Sequence, residues 1–169
     1  MHAIRAEPFS IAFKNPIHFL ARKTLFDNRW FGGLIRRLNA LPVSQDRPDF
    51  TSLKRIIALL KKGERVLIFP EGERTTTGQL GEGQPGVGLV IAKSQAPVLP
   101  MRLFGVYDIY PRKAKRPKLR GKITLVIGEP LDFSKEIAAS TKGKEFYQSL
   151  SDRTVAAIAA LELPDASAK

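Results

Sequence analysis

Residues 65–75 read Arg65-Val66-Leu67-Ile68-Phe69-Pro70-Glu71-Gly72-Glu73-Arg74-Thr75. Four apolar residues in succession, Val66 to Phe69, show no polar alternation and describe a strand buried on both faces, which Pro70 ends. Just upstream, Leu53, Ile56, Ile57 and Leu60 follow the i, i+3, i+4, i+7 spacing of an amphipathic helix. Thr51 or Ser52 is available to cap that helix, and Gly63, after Lys61 and Lys62, to stop it. A helix that delivers the chain straight into a doubly buried strand implies an α/β fold. The expectation is a single domain over residues 1–163, with a mixed, largely buried β-sheet flanked by helices, and a flexible tail over residues 164–169.

Outward from this stretch the pattern continues. Residues 17–21 read as a short strand. Trp30, Phe31, Leu34, Ile35 and Leu38 recur at helical spacing with Arg29, Arg36 and Arg37 on the other faces, an amphipathic helix expected to pack on the core, with contact to a membrane or an acyl chain as the alternative. Downstream, a Gly- and Thr-rich loop over residues 72–83 leads to a helix opened by Pro85. Strands follow at 98–103 and 123–127, then a final packing helix over 144–163. His18 lies inside a strand and reads as structural.

At 169 residues with 43% hydrophobic side chains the chain can bury one real core. Its net charge of +12 draws it to something anionic. The densest cations are Arg112, Lys113, Lys115, Arg116, Lys118, Arg120 and Lys122, either a solvated basic loop or a contact for anionic lipid. Nucleic acid shares the charge requirement, yet no RNP-type strand, zinc spacing or helix-turn-helix pattern accompanies the cluster. With no cysteine, an acyl-cysteine intermediate and thiolate metal sites are excluded. The longest apolar runs fall well short of the ~20 residues a membrane-spanning helix needs, and no secretory leader is evident at the N-terminus. The expected location is cytoplasmic, peripheral on the inner face of a membrane.

The step from strand to loop at Pro70 is where α/β sheets place ligands. Gly72 lets backbone approach a ligand, Arg74 offers a planar fork that suits phosphate, and Glu71 can hold that arginine or a substrate hydroxyl. The heptad from Phe69 to Thr75 resembles the F-P-E-G-T-R-S block of lysophosphatidate and glycerol-phosphate acyltransferases, with Glu73 and Thr75 as variants. Ala96-Pro97-Val98-Leu99-Pro100-Met101-Arg102-Leu103-Phe104-Gly105 resembles that family's V-P-V-x-P-V-x-I-x-G block. His18 to Lys23, Gly32-Gly33 and Ile127 to Leu131 stand where its members have similar residues.

The resemblance implies the following. His2, with Glu7 five positions on, takes the place of the H-x4-D block: His2 as the base that deprotonates the acceptor hydroxyl, and Glu7 as its orienting acid in place of aspartate. Glu71, Gly72 and Arg74 hold the substrate phosphate. Arg47 stands in for the second block's arginine, whose position is taken by Gln45, and Gln84 replaces a frequent lysine. Phe69, Pro70 and Pro100 shape the acyl site. The reaction needs neither metal nor cofactor, and its co-substrates are acyl-CoA or acyl carrier protein and a lysophospholipid, at an anionic membrane surface. Family members carry a further segment ahead of the first block, so the chain is expected to be shortened there. The competing expectations are a catalytically weak member that binds anionic lipid, or transfer to another lysolipid acceptor.

Overall fold

The computed structural model describes the backbone of residues 2–5 and all of residues 16–43, 50–114, 116–139 and 142–164. In chain order the elements are β1 (His2–Arg5), β2 (Ile17–Arg22), a single 3-10 turn (Lys23–Phe26), α1 (Arg29–Arg37), β3 (Ala40–Val43), α2 (Phe50–Lys61), β4 (Arg65–Leu67), α3 (Pro85–Ser94), β5 (Met101–Phe104), α4 (Val106–Ile109), β6 (Thr124–Ile127), α5 (Ser134–Ala139) and α6 (Lys144–Ala159).

The strands form two three-stranded sheets. One is parallel, ordered β3-β2-β4, with Phe19 of β2 opposite both Ala40 and Leu67. Parallel neighbours need crossover connections, and α1 and α2 supply them. The other sheet is antiparallel, ordered β1-β6-β5, with Ile127 of β6 between His2 and Met101. The α/β class and the flanking helices are as the sequence implies, but the strands are divided between two sheets. As the edge strand of the parallel sheet, β4 is half-buried at Val66 and Leu67 rather than buried on both faces. Phe69, beyond its end, is exposed at 59%.

Several local signals act as read. Gly63 adopts φ +81° after α2, a left-handed position that glycine takes without steric cost. Pro85 opens α3, where its missing N–H has no helical partner to lose. Thr51 and Ser52, by contrast, are not caps, because α2 already begins at Phe50. Ser52 instead donates its hydroxyl to the Pro42 carbonyl at 3.3 Å, tying α2 to the end of β3. The last helix ends at Ala159, about one turn short of the expected end at 163, and Pro164 follows soon after.

The core is laid down by α2, α3 and α6. Ile56, 1% exposed, packs with Leu41 and Val90 against the parallel sheet. Ile91 and Ala92 pack with Phe133, Ile137 and Leu150 on the other side of α3. The crossing of α3 and α6 is close because Gly88 has no side chain; a Cβ there would collide with the Tyr147 carbonyl. This contact fixes where α3, and the loop in front of it, stand.

The amphipathic helix differs most from expectation. Asn28 caps α1, its Oδ1 accepting from the Trp30 and Phe31 amides at 3.1 and 3.0 Å. Gly32 then lies against the Phe26 carbonyl, and Ile35 enters a cluster with Ala21, Phe26 and Ala40. That contact rotates the helix so that Trp30, Leu34, Leu38 and Phe31 face outward, at 90%, 55%, 53% and 45% exposure. Helical spacing reveals an apolar stripe but not what covers it, and here the core does not.

Candidate active site

The loop after β4 is braced at every quarter. Pro70 is buried, and its carbonyl accepts the Gln84 amide at 2.8 Å, which ties the two ends of residues 71–83 together. Gly72, at φ +74°, donates its amide to the Phe69 carbonyl and closes the turn out of the strand. Glu71 does not hold Arg74, as the sequence suggested. Its Oε2 accepts the Gly81 amide at 2.7 Å and spans the loop from inside. The Thr75 hydroxyl accepts the Gly78 amide, and Gly83 packs on Ser151 of α6 while its carbonyl takes a hydrogen bond from Gln148 Nε2 at 2.8 Å.

A second segment, around α4, clamps the loop from outside. Arg112 pairs with Glu73 at 2.9 Å, and its other terminal nitrogen donates to the Arg74 carbonyl at 3.0 Å. Tyr107 donates its hydroxyl to the Thr76 carbonyl at 2.8 Å, with its ring lying against Gly78. The Arg74 guanidinium stands 5.5 Å from the centre of the Tyr110 ring, a cation–π contact, and has no carboxylate partner among the described residues. The clamp therefore engages Glu73 and leaves the Arg74 fork for a ligand, the arrangement an anion site requires. Sequence reasoning missed this role for Arg112 and counted it with the basic cluster. The signal was Glu73, a carboxylate in the heptad that calls for a cation.

The structure thus gathers Phe69, Pro70, Glu71, Gly72 and Arg74 on one braced loop. Pro100 sits elsewhere: it is buried, and its carbonyl accepts the Gly128 amide at 2.9 Å, joining the start of β5 to the end of β6. His2 belongs to β1, beside Ile127 in the antiparallel sheet, whereas the heptad leaves the parallel one. Glu7, Gln45 and Arg47 lie outside the described residues. His18 faces Glu64 at 3.8 Å through Nε2, and its Nδ1 is buried without a hydrogen-bond partner among the described residues.

The family model described as Acyltransferase matches residues 5–103, a span that contains the whole heptad and the Pro100 block as far as Leu103. The chain belongs to the acyltransferase family. This acyltransferase is 38% identical over 118 residues to the 1-acyl-sn-glycerol-3-phosphate acyltransferase of Bacillus subtilis (strain 168), covering 68% of this chain and 54% of that protein. It is 32% identical over 117 residues to the protein of the same description from Streptococcus pneumoniae (strain ATCC BAA-255 / R6), covering 69% and 41%. It spans about half the length of the Bacillus relative. The crystal structure of the 1-acyl-sn-glycerophosphate acyltransferase from Thermotoga maritima shares its fold, with a TM-score of 0.65 at 24% identity over 93% of this chain and 63% of that one. The clamp residues Tyr107, Tyr110 and Arg112 fall beyond the matched span. Among the described residues no helix is long and apolar enough to cross a membrane.

Proposed function

We propose that the chain transfers a fatty acyl group from acyl-CoA or acyl carrier protein to the free hydroxyl of lysophosphatidate, forming phosphatidate at the inner face of an anionic membrane. The observation that carries this reading is the Arg74 fork, without a carboxylate partner among the described residues and held out by a clamped loop in the family's own motif. The names of the relatives point to the same acceptor.

In this mechanism the acceptor phosphate rests on Arg74 and the Gly72 turn. The His2 imidazole takes the acceptor hydroxyl's proton, with Glu7 orienting the ring. The oxygen bonds to the thioester carbonyl carbon, and the tetrahedral intermediate collapses with cleavage of the C–S bond. The departing thiolate takes the proton back from the imidazolium. Arg47, near the second block, is the second candidate for the phosphate. No covalent acyl-enzyme is formed, in keeping with a chain that has no cysteine.

The test is acyl transfer from labelled acyl-CoA and from acyl carrier protein to lysophosphatidate by the wild type, His2→Ala and Arg74→Ala. A general base contributes roughly 10²–10⁴ in rate, so His2→Ala should lose about that factor in kcat. Arg74→Ala removes a charge-assisted bond worth about 1.5–3 kcal/mol and should raise the acceptor KM roughly 10- to 150-fold. A wild type that transfers from neither donor would sink the proposal. It would favour the second reading, lipid binding with little transfer.

A further inference from the structure

The most unusual surface among the described residues is the outward face of α1. Trp30, Phe31, Leu34 and Leu38 lie on one side of it, within an arc of about 100° at helical spacing. The preceding 3-10 turn adds another exposed apolar side chain, Leu25, at 43%. A soluble chain rarely leaves so many large apolar side chains together without a use for them. The face is not a consequence of slack packing, because Gly32 against the Phe26 carbonyl and Ile35 in the core fix the helix's rotation.

What covers the face is indicated by its border. Residues 22–37 hold Arg22, Lys23, Arg29, Arg36 and Arg37 against the single acid Asp27, and all five cations are exposed. Arg37 flanks the Trp30 edge at helical spacing, and Arg36 lies 5.3 Å from the centre of the Phe26 ring, its charge carried on an apolar stem. An apolar stripe, an interfacial tryptophan and a basic rim form the pattern of a helix that lies in the plane of an anionic bilayer. A two-fold pairing of this face with a second copy would bring five cations from each chain together. A single acyl chain would need a concave cleft rather than an open helix face.

We infer that α1 is the element by which this protein docks on anionic lipid, with Trp30, Phe31, Leu34 and Leu38 inserted among the headgroups and Arg37 and its neighbours on the phosphates. This rests on the membrane-facing part of the proposed function and assigns it to a surface other than the basic cluster at 112–122.

Trp30 is the protein's only tryptophan, so its fluorescence reports this face alone. Vesicles of phosphatidylcholine with phosphatidylglycerol should shift its emission to the blue, brominated lipid should quench it, and phosphatidylcholine alone should do far less. Leu34→Ser with Leu38→Ser, which leaves the probe in place, should weaken partitioning about a hundredfold, roughly tenfold for each leucine that no longer enters the interface. Replacing Arg116, Lys118 and Arg120 by glutamine should cost less than the leucine pair.

The inference falls if the emission is unmoved by vesicles, or if brominated lipid leaves it unquenched. It also falls if the emission is already blue and shielded from aqueous iodide before lipid is added, which would mean that another segment covers the face. A blue shift that grows with protein concentration alone would mean a second copy. Binding that survives the leucine pair but is lost with the basic-cluster variant would leave a membrane-bound acyltransferase and overturn the role of α1. Transfer to a short-chain, freely dissolved lysophosphatidate should be unchanged in the leucine pair, which separates failure of docking from failure of the enzyme reading.

Discussion

Replacing Arg112 by alanine should raise the acceptor KM while leaving the acyl-donor KM and the fold nearly as they are. Arg112 makes two contacts to the heptad loop, the 2.9 Å pair with Glu73 and the 3.0 Å bond to the Arg74 carbonyl. The ion pair is open to water, with its side chains 37% and 65% exposed, so it belongs with surface pairs worth about 0.2–1 kcal/mol. The bond to the carbonyl is charge-assisted, and its exposure brings it to the low end of its class, about 1 kcal/mol. Together they hold the Arg74 backbone with roughly 1–2 kcal/mol, which corresponds to a roughly 5- to 30-fold loss in kcat/KM for the phosphate-bearing acceptor. Glu73→Gln removes only the ion pair and should cost about fivefold at most. Arg112→Lys keeps a charge but not the fork that reaches both partners, and should fall between the two. The assay is the initial rate against lysophosphatidate concentration at saturating donor, at low and high salt. The difference between wild type and Glu73→Gln should shrink as salt rises. An Arg112→Ala enzyme with wild-type acceptor KM would refute the clamp, as would an equal loss toward an acceptor without phosphate.

Gly88→Ala should destabilise the protein strongly, because the new methyl group meets the backbone of Tyr147 rather than a side chain that can turn away. Overpacking of this kind costs about 1–3 kcal/mol or more, and a chain of this size should lose roughly 2–4 °C in Tm per kcal/mol, read by thermal unfolding followed with circular dichroism. Asp132 gives a pH signature: the Ser134 amide, then the Ser134 hydroxyl, hold its carboxyl below the usual carboxylate value. Its folded-state affinity for a proton is lowered, so its stabilising contribution is present above the ordinary value of 3.8 and is lost as pH falls through the lowered one. Asp132→Asn should therefore flatten the acid limb of the stability curve and lower stability slightly at neutral pH. Denaturant unfolding at pH 7 and pH 3 would show this, and an unchanged acid limb would contradict it.

The parts legible from sequence were those with local causes. The periodicity of α2, the φ of Gly63 and the proline at the start of α3 are each set within a few residues, and the heptad's position after a strand follows from the apolar run before it. What lay beyond reach was set by distant partners. That β4 takes an edge depends on β2 pairing with both β3 and β4, which no window of residues announces. The direction α1 faces was decided by Gly32 meeting Phe26, so the same stripe that suggested a core helix became an exposed surface. In the site, the heptad was read as a phosphate-binding loop with Glu71 on Arg74 or on a substrate hydroxyl; its bond to the Gly81 amide was out of reach because a side-chain carboxylate serves a backbone amide as well as it serves an arginine. The clamp from Tyr107 and Arg112 joins residues more than thirty positions apart, beyond any motif.

The grip of α6 on the heptad loop, through Gln148 on the Gly83 carbonyl and the close fit of Gly88 against Tyr147, bears on how this fold can be recombined. The matched span stops at residue 103, which invites a swap of that stretch alone between relatives. Such a hybrid would mate one parent's α3 with the other's α6, and any side chain larger than hydrogen at position 88, or any shift in its facing helix, would move the loop's anchor. The unit that can be transplanted with its site intact is therefore the loop together with both helices that splint it, so crossover points belong before α2 and after α6.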